Sequence, residues 1–92
     1  MRPHIIREDG SREYRSPSNG TDFSLAELQE AVDGKIEIIR LTDVVIMVVN
    51  DEGKFTKHVN AVATILALLN GAIFRTDYVC GDVLLCPSDM VK

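Results

Sequence analysis

The stretch Asn60-Ala61-Val62-Ala63-Thr64-Ile65-Leu66-Ala67-Leu68-Leu69-Asn70-Gly71 decides the fold, because its spacing predicts the most apolar helix of the chain. Asn60 is a favourable N-cap, and Asn70-Gly71 is a favourable C-terminal stop. At about 100° per residue, the larger side chains form one stripe, which consists of Val62, Ile65, Leu66 and Leu69. We expect this stripe to pack on residues 44–49, the most apolar strand of the sequence.

The opposite side of this predicted helix is small and uncharged, and it includes Ala63, Thr64 and Ala67. A helix side that faces water normally carries Lys, Glu or Arg. The uncharged side therefore indicates a contact with a second subunit, with another element of the same chain or with a ligand. Among these alternatives, we assign Ala63 and Ala67 to a subunit interface.

Length and composition describe one small domain that is rich in apolar residues. The chain has 92 residues, of which 46% are hydrophobic. A domain of this size has a large surface relative to its volume, so assembly into a homo-oligomer would bury apolar surface that one copy leaves exposed. The net charge of −4 argues against a general nucleic-acid-binding protein, which would be basic.

Targeting and redox signals favour a cytoplasmic protein. No apolar signal segment follows Met1-Arg2-Pro3-His4, and the longest apolar stretch is shorter than the about 20 residues that cross a membrane. If Cys80 and Cys86 share one strand, they lie about 20 Å apart, too far for a disulfide. Free thiols are typical of a reducing compartment.

Turn signals divide the chain into three parts. Asp9-Gly10 predicts a β-hairpin within residues 1–15 and places Arg7 opposite Arg12. These like charges form either a solvated ribbon or a small cationic patch for an anion such as phosphate. Residues 16–22 form a linker, and residues 23–92 form the α+β core.

The core begins with a helix, because Ser24 and Glu27 form a capping box. Strands are predicted at residues 35–41, 44–50 and 78–86, with an optional short strand at 55–59. The expected order is β-β-α-β-β-(β)-α-β, an α+β domain over residues 1–92 with a mostly antiparallel sheet and two helices. Asp82 lies among apolar residues and needs a basic partner. The candidates are Lys54, Lys57 and Arg75.

The sequence contains no recognisable catalytic or metal-binding pattern. Nucleophilic catalysis needs a Ser or Cys beside an oriented base, and neither His4 nor His58 belongs to such a motif. A zinc site needs closely paired ligands, which Cys80 and Cys86 do not provide. We therefore expect a protein that is not an enzyme and that needs no metal or cofactor.

Donors and short polar groups instead cluster near the N-terminus of the central helix, which attracts anions. They serve either as caps and turn residues or as a pocket for a phosphorylated small molecule. For the second interpretation, the candidate ligand-binding residues are Asn50, Lys54, Lys57, Asn60, Thr64 and Arg75.

Several segments between Phe23 and the last strand resemble a known family. They are Ser24-Leu25-Ala26-Glu27-Leu28-Gln29, Gly34-Lys35-Ile36-Glu37, Val49-Asn50-Asp51-Glu52-Gly53-Lys54, Asn60 with Ala63-Thr64, and Gly81-Asp82-Val83. The family consists of short proteins of unknown function encoded by phages and mobile elements of gut and other anaerobic bacteria. The arginine-rich hairpin is expected to lie outside this resemblance, which implies a cytoplasmic accessory protein of the bacterial host and supplies no activity.

Phage accessory proteins of this size often counter host defences, and some are oligomers that sequester cyclic-nucleotide or ADP-ribose-type immune signals. By this analogy, we expect a homo-oligomeric anti-defence protein that binds such a signal. The alternative is an anti-defence or regulatory protein that binds a host factor through a protein surface, without a small ligand.

Overall fold

The computed structural model describes residues 1–92 as a five-stranded antiparallel sheet with one longer helix on each face. The elements are β1 (His4–Ile6), β2 (Arg12–Tyr14), α1 (Leu25–Val32), β3 (Ile36–Arg40), β4 (Val45–Asn50), α2 (Gly53–Thr56), α3 (Ala61–Leu69) and β5 (Val83–Pro87), followed by a 3-10 turn at Ser88–Met90. The strands lie in the order β2-β1-β5-β4-β3, and every neighbouring pair is antiparallel.

The predicted α+β class with an antiparallel sheet is confirmed. The optional strand at residues 55–59 does not form, because Gly53–Thr56 makes the short helix α2 instead. Only Val59 adds extended pairing there, as an isolated bridge to Cys80. None of the helices combines the length and the apolar character that crossing a membrane requires.

Helix α1 begins with the predicted capping box. The Ser24 hydroxyl accepts a hydrogen bond from the Glu27 amide at 3.1 Å, and the Glu27 carboxylate accepts one from the Ser24 amide at 2.9 Å. Both bonds satisfy amide groups that an uncapped helix would leave without partners. The helix then packs Leu28 and Val32 against one face of the sheet, together with Phe23 from the preceding residues.

Strands β4 and β5 are buried on both faces, as the continuous apolar sequence of residues 44–50 predicts for β4. Ile46 and Val48 of β4 face α1, whereas Met47 and Val49 face α3. Strand β5 occupies the centre of the sheet, between β1 and β4. The two helices therefore cover opposite faces of the same strands.

The N-terminal hairpin is an integral part of this sheet. Strand β1 pairs with β5, and Ile5 and Ile6 are buried on opposite faces. The predicted register of the hairpin is wrong by one residue, because Ile6 and not Arg7 pairs with Arg12. A three-residue loop with Gly10 at φ +88° replaces the expected two-residue turn, so Arg7 does not lie opposite Arg12.

Helix α3 is rotated relative to the sequence prediction. Ala63 and Ala67 have no exposed surface and pack against the sheet. The larger side chains lie at the border or outside, since Ile65 is 55% exposed and Leu69 is 80% exposed. The predicted inward stripe is therefore wrong for Ile65 and Leu69, whereas Val62 and Leu66 are partly buried and pack against the core. Ala63 and Ala67 have no exposed surface with which to contact a second subunit.

Hydrogen bonds from the small side of α3 explain this rotation. The Thr64 hydroxyl accepts a hydrogen bond from the Val79 amide at 2.9 Å and donates one to the Val79 carbonyl at 3.3 Å. Asn60, at the start of the helix, is fully buried, and its side-chain amide donates hydrogen bonds to the carbonyls of Ile6 in β1 and of Gly81 before β5. Turning the apolar stripe inward would break these bonds and leave buried polar groups without partners.

Matched glutamate substitutions test the orientation of α3. Ala67→Glu should lower the free energy of unfolding by at least about 3 kcal/mol, because it buries a carboxylate without a partner. Leu69→Glu should change it by less than about 0.5 kcal/mol, because that side chain already faces water. Urea unfolding followed by circular dichroism measures both, and equal effects would contradict this orientation.

Candidate functional site

Both asparagines of the predicted ligand pocket form hydrogen bonds with backbone groups of the same chain. Asn60 Nδ2 donates to the carbonyls of Ile6 and Gly81 at 3.0 and 2.9 Å, and Asn60 Oδ1 accepts from the Ala63 amide at 3.0 Å. Asn50 Nδ2 similarly donates to the carbonyls of Val32 and Asp33, at the end of α1. A fully buried Asn60 with all of these bonds has no polar atom left for a ligand, so its assignment to a binding site is wrong.

The predicted cations do not converge on one point. Lys54 binds Asp77, and Lys57 binds Asp33 at 2.5 Å. Arg75 is exposed and takes part in no ion pair. Of the six predicted ligand-binding residues, only Asn50 and Lys54 line a common depression.

The partner of Asp82 is also different from the predicted candidates. Arg7 Nη1 donates to Asp82 Oδ2 at 2.8 Å, and the Glu8 amide donates to Asp82 Oδ1 at 2.9 Å. Arg7 also contacts Glu13, which in turn binds Arg15 at 2.7 Å. Half of the arginines of the N-terminal segment are therefore neutralised by carboxylates of the same chain.

The largest concave surface is a groove between β3 and the loop that follows α3. Two adjoining depressions form it, and they share Glu37, Ile39, Ile73 and Asp77. We call this surface the β3 groove. Phe55 and Phe74 belong to the same lining and are 89% and 84% exposed. Exposed aromatic side chains beside a groove mark a candidate contact surface.

Carboxylates dominate the charge of the β3 groove. Glu37 and Asp51 line it without forming an ion pair. Asp77 accepts a hydrogen bond from Lys54, which lowers the pKa of the Asp77 carboxyl and raises the pKa of the Lys54 amine. The groove thus offers two basic side chains, the paired Lys54 and the unpaired Arg40, against three carboxylates, and this excess of carboxylates favours a cationic rather than an anionic ligand.

Strand β3 has a free backbone edge along this groove. The Leu41 amide donates to the Val45 carbonyl, and the Asp51 amide donates to the Lys35 carbonyl. Because hydrogen-bonded positions alternate in antiparallel pairs, the N–H and C=O groups of Ile36, Ile38 and Arg40 point away from β4. No hydrogen bond joins these groups to another segment of the chain.

Metal-binding and thiol chemistry do not define a further site. No three His, Cys, Asp or Glu side chains are grouped so that they could hold a metal ion. Both cysteines are free and buried, and Cys80 lies outside β5, whereas Cys86 lies within it. Burial raises the pKa of the Cys86 thiol to about 11.

Comparison with known protein families identifies the family to which the chain belongs. The chain matches, over residues 1–90, the family described as a domain of unknown function, DUF3846, and it belongs to that family. The match includes the arginine-rich hairpin, which was expected to lie outside the family resemblance. No curated protein and no solved structure shows a significant match to the chain.

Replacing Asn60 tests whether its role is structural. Asn60→Ala should lower the free energy of unfolding by about 3 kcal/mol, because it removes the helix cap and leaves two buried carbonyls without donors. Asn70→Ala is the control, because it removes one exposed bond to the Leu66 carbonyl and should cost less than about 1 kcal/mol. Chemical unfolding measures both, and an Asn60→Ala variant as stable as the control would refute this role.

The buried Cys86 thiol predicts a loss of stability at alkaline pH. Above the ordinary pKa of 9.0, the unfolded chain releases this proton while the folded chain keeps it up to a pH of about 11. Ionisation therefore favours the unfolded state as the pH rises through this window. Cys86→Ala should show a shallower decrease of unfolding free energy between pH 9 and about 11, and identical slopes would contradict the prediction.

Proposed function

We propose that this chain is a non-catalytic binding protein whose β3 groove receives an extended segment of a partner protein as a sixth strand. The observation that carries this proposal is the row of unpaired N–H and C=O groups on Ile36, Ile38 and Arg40. Extended peptides bind such edges through main-chain hydrogen bonds, and neighbouring pockets select alternate side chains.

The lining of the groove defines the chemistry of the partner segment. Phe74 and Ile73 lie beside β3 and favour apolar side chains in the bound strand. Glu37 and Asp51 favour a lysine or arginine, because their carboxylates have no cation within this chain. The preferred ligand is therefore an extended segment that combines apolar and basic residues.

The resemblance to phage and mobile-element proteins supports a biological setting for this activity. In that setting, the protein is an accessory protein in the cytoplasm of a bacterial host. It acts there against a defence or in regulation by occupying a host protein, without transforming a substrate. This role rests on the resemblance, whereas the binding mode rests on the groove.

Sequestration of a cyclic-nucleotide or ADP-ribose-type immune signal is the second candidate function. The β3 groove does not favour it, because its three carboxylates outnumber its two basic side chains, of which Lys54 is already paired with Asp77. The observation in its favour lies at the other edge of the sheet, where Arg2 and Arg12 carry no carboxylate partner. The two candidates therefore use separate surfaces and can be tested separately.

A proline substitution tests strand addition at β3. Ile38→Pro removes an outward N–H group but leaves the β3–β4 hydrogen bonds in place, because residue 38 does not donate to β4. Selection against a random heptapeptide display library should enrich peptides with alternating apolar residues and at least one lysine or arginine. Ile38→Pro should reduce their affinity about tenfold or more, as measured by fluorescence anisotropy.

Ile38→Ala is the matched control, because it also loses the apolar side chain but keeps the N–H group. It should bind the enriched peptides more tightly than Ile38→Pro does. Equal affinities of the two variants, or the absence of any enriched peptide, would refute strand addition. Native mass spectrometry tests the expected homo-oligomer, and a dimer that Ile38→Pro dissociates would show that a second copy, not a different protein, occupies the edge.

A further inference from the structure

Four residues form a cationic and aromatic cluster at the β2 edge of the sheet: Arg2, His4, Arg12 and Tyr14. His4 pairs with Tyr14 across the β1–β2 ribbon, and Arg12 is two residues from Tyr14 along the same strand. Alternate residues of a strand point to one face, so these three side chains share a face. The depression between them is lined by His4, Arg12 and Tyr14 alone.

Contacts within this cluster hold both guanidinium groups against the two rings. Arg2 lies over the Tyr14 ring, with its guanidinium carbon 3.8 Å from the ring centroid. Arg12 Nη1 is 3.0 Å from His4 Nε2. The rings of His4 and Tyr14 meet edge to face, with their centroids 6.2 Å apart. The cluster is therefore a contiguous surface and not a set of independent side chains.

The buried His4 ring fixes the direction of Arg12. An arginine N–H can only donate, so His4 Nε2 accepts this bond and the proton resides on Nδ1. Nδ1 then donates to the Arg2 carbonyl at 2.9 Å. The imidazole of His4 thus joins the backbone of Arg2 to the side chain of Arg12, and the remaining N–H groups of that guanidinium form no other hydrogen bond.

These two arginines differ from their neighbours because no carboxylate neutralises them. Arg7 and Arg15 both bind Glu13, whose position in β2 points it to the opposite face. No ion pair of the structure includes Arg2 or Arg12. A protein with a net charge of −4 therefore presents two free guanidinium groups around one exposed aromatic ring.

We propose that Arg2, Arg12 and Tyr14 bind the phosphate group of a small phosphorylated molecule. A guanidinium group presents parallel N–H donors that match two phosphate oxygens, and two such groups can share one phosphate. Tyr14 is 64% exposed, so the part of its ring that Arg2 does not cover offers a surface for an aromatic part of the ligand. Signal sequestration would need this site, but the site does not depend on sequestration or on the β3 groove.

Inorganic phosphate is the first probe, added to the intact chain at constant ionic strength and followed by two-dimensional ¹H–¹⁵N NMR. The amide shifts should saturate and should centre on residues 2–4 and 12–14. Arg2→Ala and Arg12→Ala should each weaken binding about tenfold, because each removes charge-assisted hydrogen bonds to the phosphate. Arg75→Ala is the matched control, because it removes an exposed, unpaired arginine elsewhere, and it should leave the affinity unchanged.

Arg2→Ala keeps the test decisive if Arg12→Ala disturbs the hairpin. Arg2 precedes β1, and its side chain stacks on Tyr14 without taking part in strand pairing. Shifts that stay linear with phosphate concentration would overturn the site. Saturable shifts that persist unchanged in Arg2→Ala would overturn it as well.

Nucleotides then identify the source of the phosphate. Adenosine monophosphate should bind more tightly than inorganic phosphate, and Tyr14→Ala should abolish that difference. A single-stranded oligonucleotide that binds far more tightly than the mononucleotide, with strong salt dependence, would overturn the assignment to a small molecule. Ile38→Pro should leave phosphate binding unchanged, so failure of the groove and failure of this site are distinguishable.

Discussion

The buried amide of Asn60 is the interaction on which the arrangement of this fold depends. It joins three segments that are distant in sequence: the end of β1, the turn before β5 and the first turn of α3. Because Asn60 has no exposed surface, each of these bonds satisfies a group that would otherwise be costly to bury. The amide therefore fixes both the position of α3 on the sheet and its rotation about its own axis.

That rotation decides which apolar residues the protein exposes. Because Ala63 and Ala67 face the sheet, larger side chains such as Ile65 and Leu69 remain in contact with water. The loop after α3 then lies beside β3, where Ile73 helps to line the groove. The exposed apolar surface that the composition predicts therefore lies on the outer side of α3 and beside β3. It does not lie on the side of α3 that carries Ala63 and Ala67.

The two edges of the sheet have opposite character. Strand β3 presents free backbone groups beside apolar and acidic side chains, which suits an extended polypeptide with basic residues. Strand β2 is short and carries charge, which protects that edge from strand pairing. Its Arg12 and Tyr14, with Arg2 and His4, suit a phosphate group instead. Intramolecular ion pairs contribute to this division, because they neutralise Arg7 and Lys54 and leave Arg2 and Arg12 without a carboxylate partner.

Local patterns in the sequence were sufficient to predict the α+β class, the capping box at Ser24, the cap at Asn60 and the doubly buried β4. Each of these features depends on residues that are close in sequence or on a simple period of apolar residues. Only the tertiary structure decided the rotation of α3, because neither side of that helix carries a charge and the periodicity of its larger apolar residues indicated the wrong side. The same is true of the partner of Asp82 and of the free edge of β3, since long-range hydrogen bonds and strand order leave no local signal in the sequence.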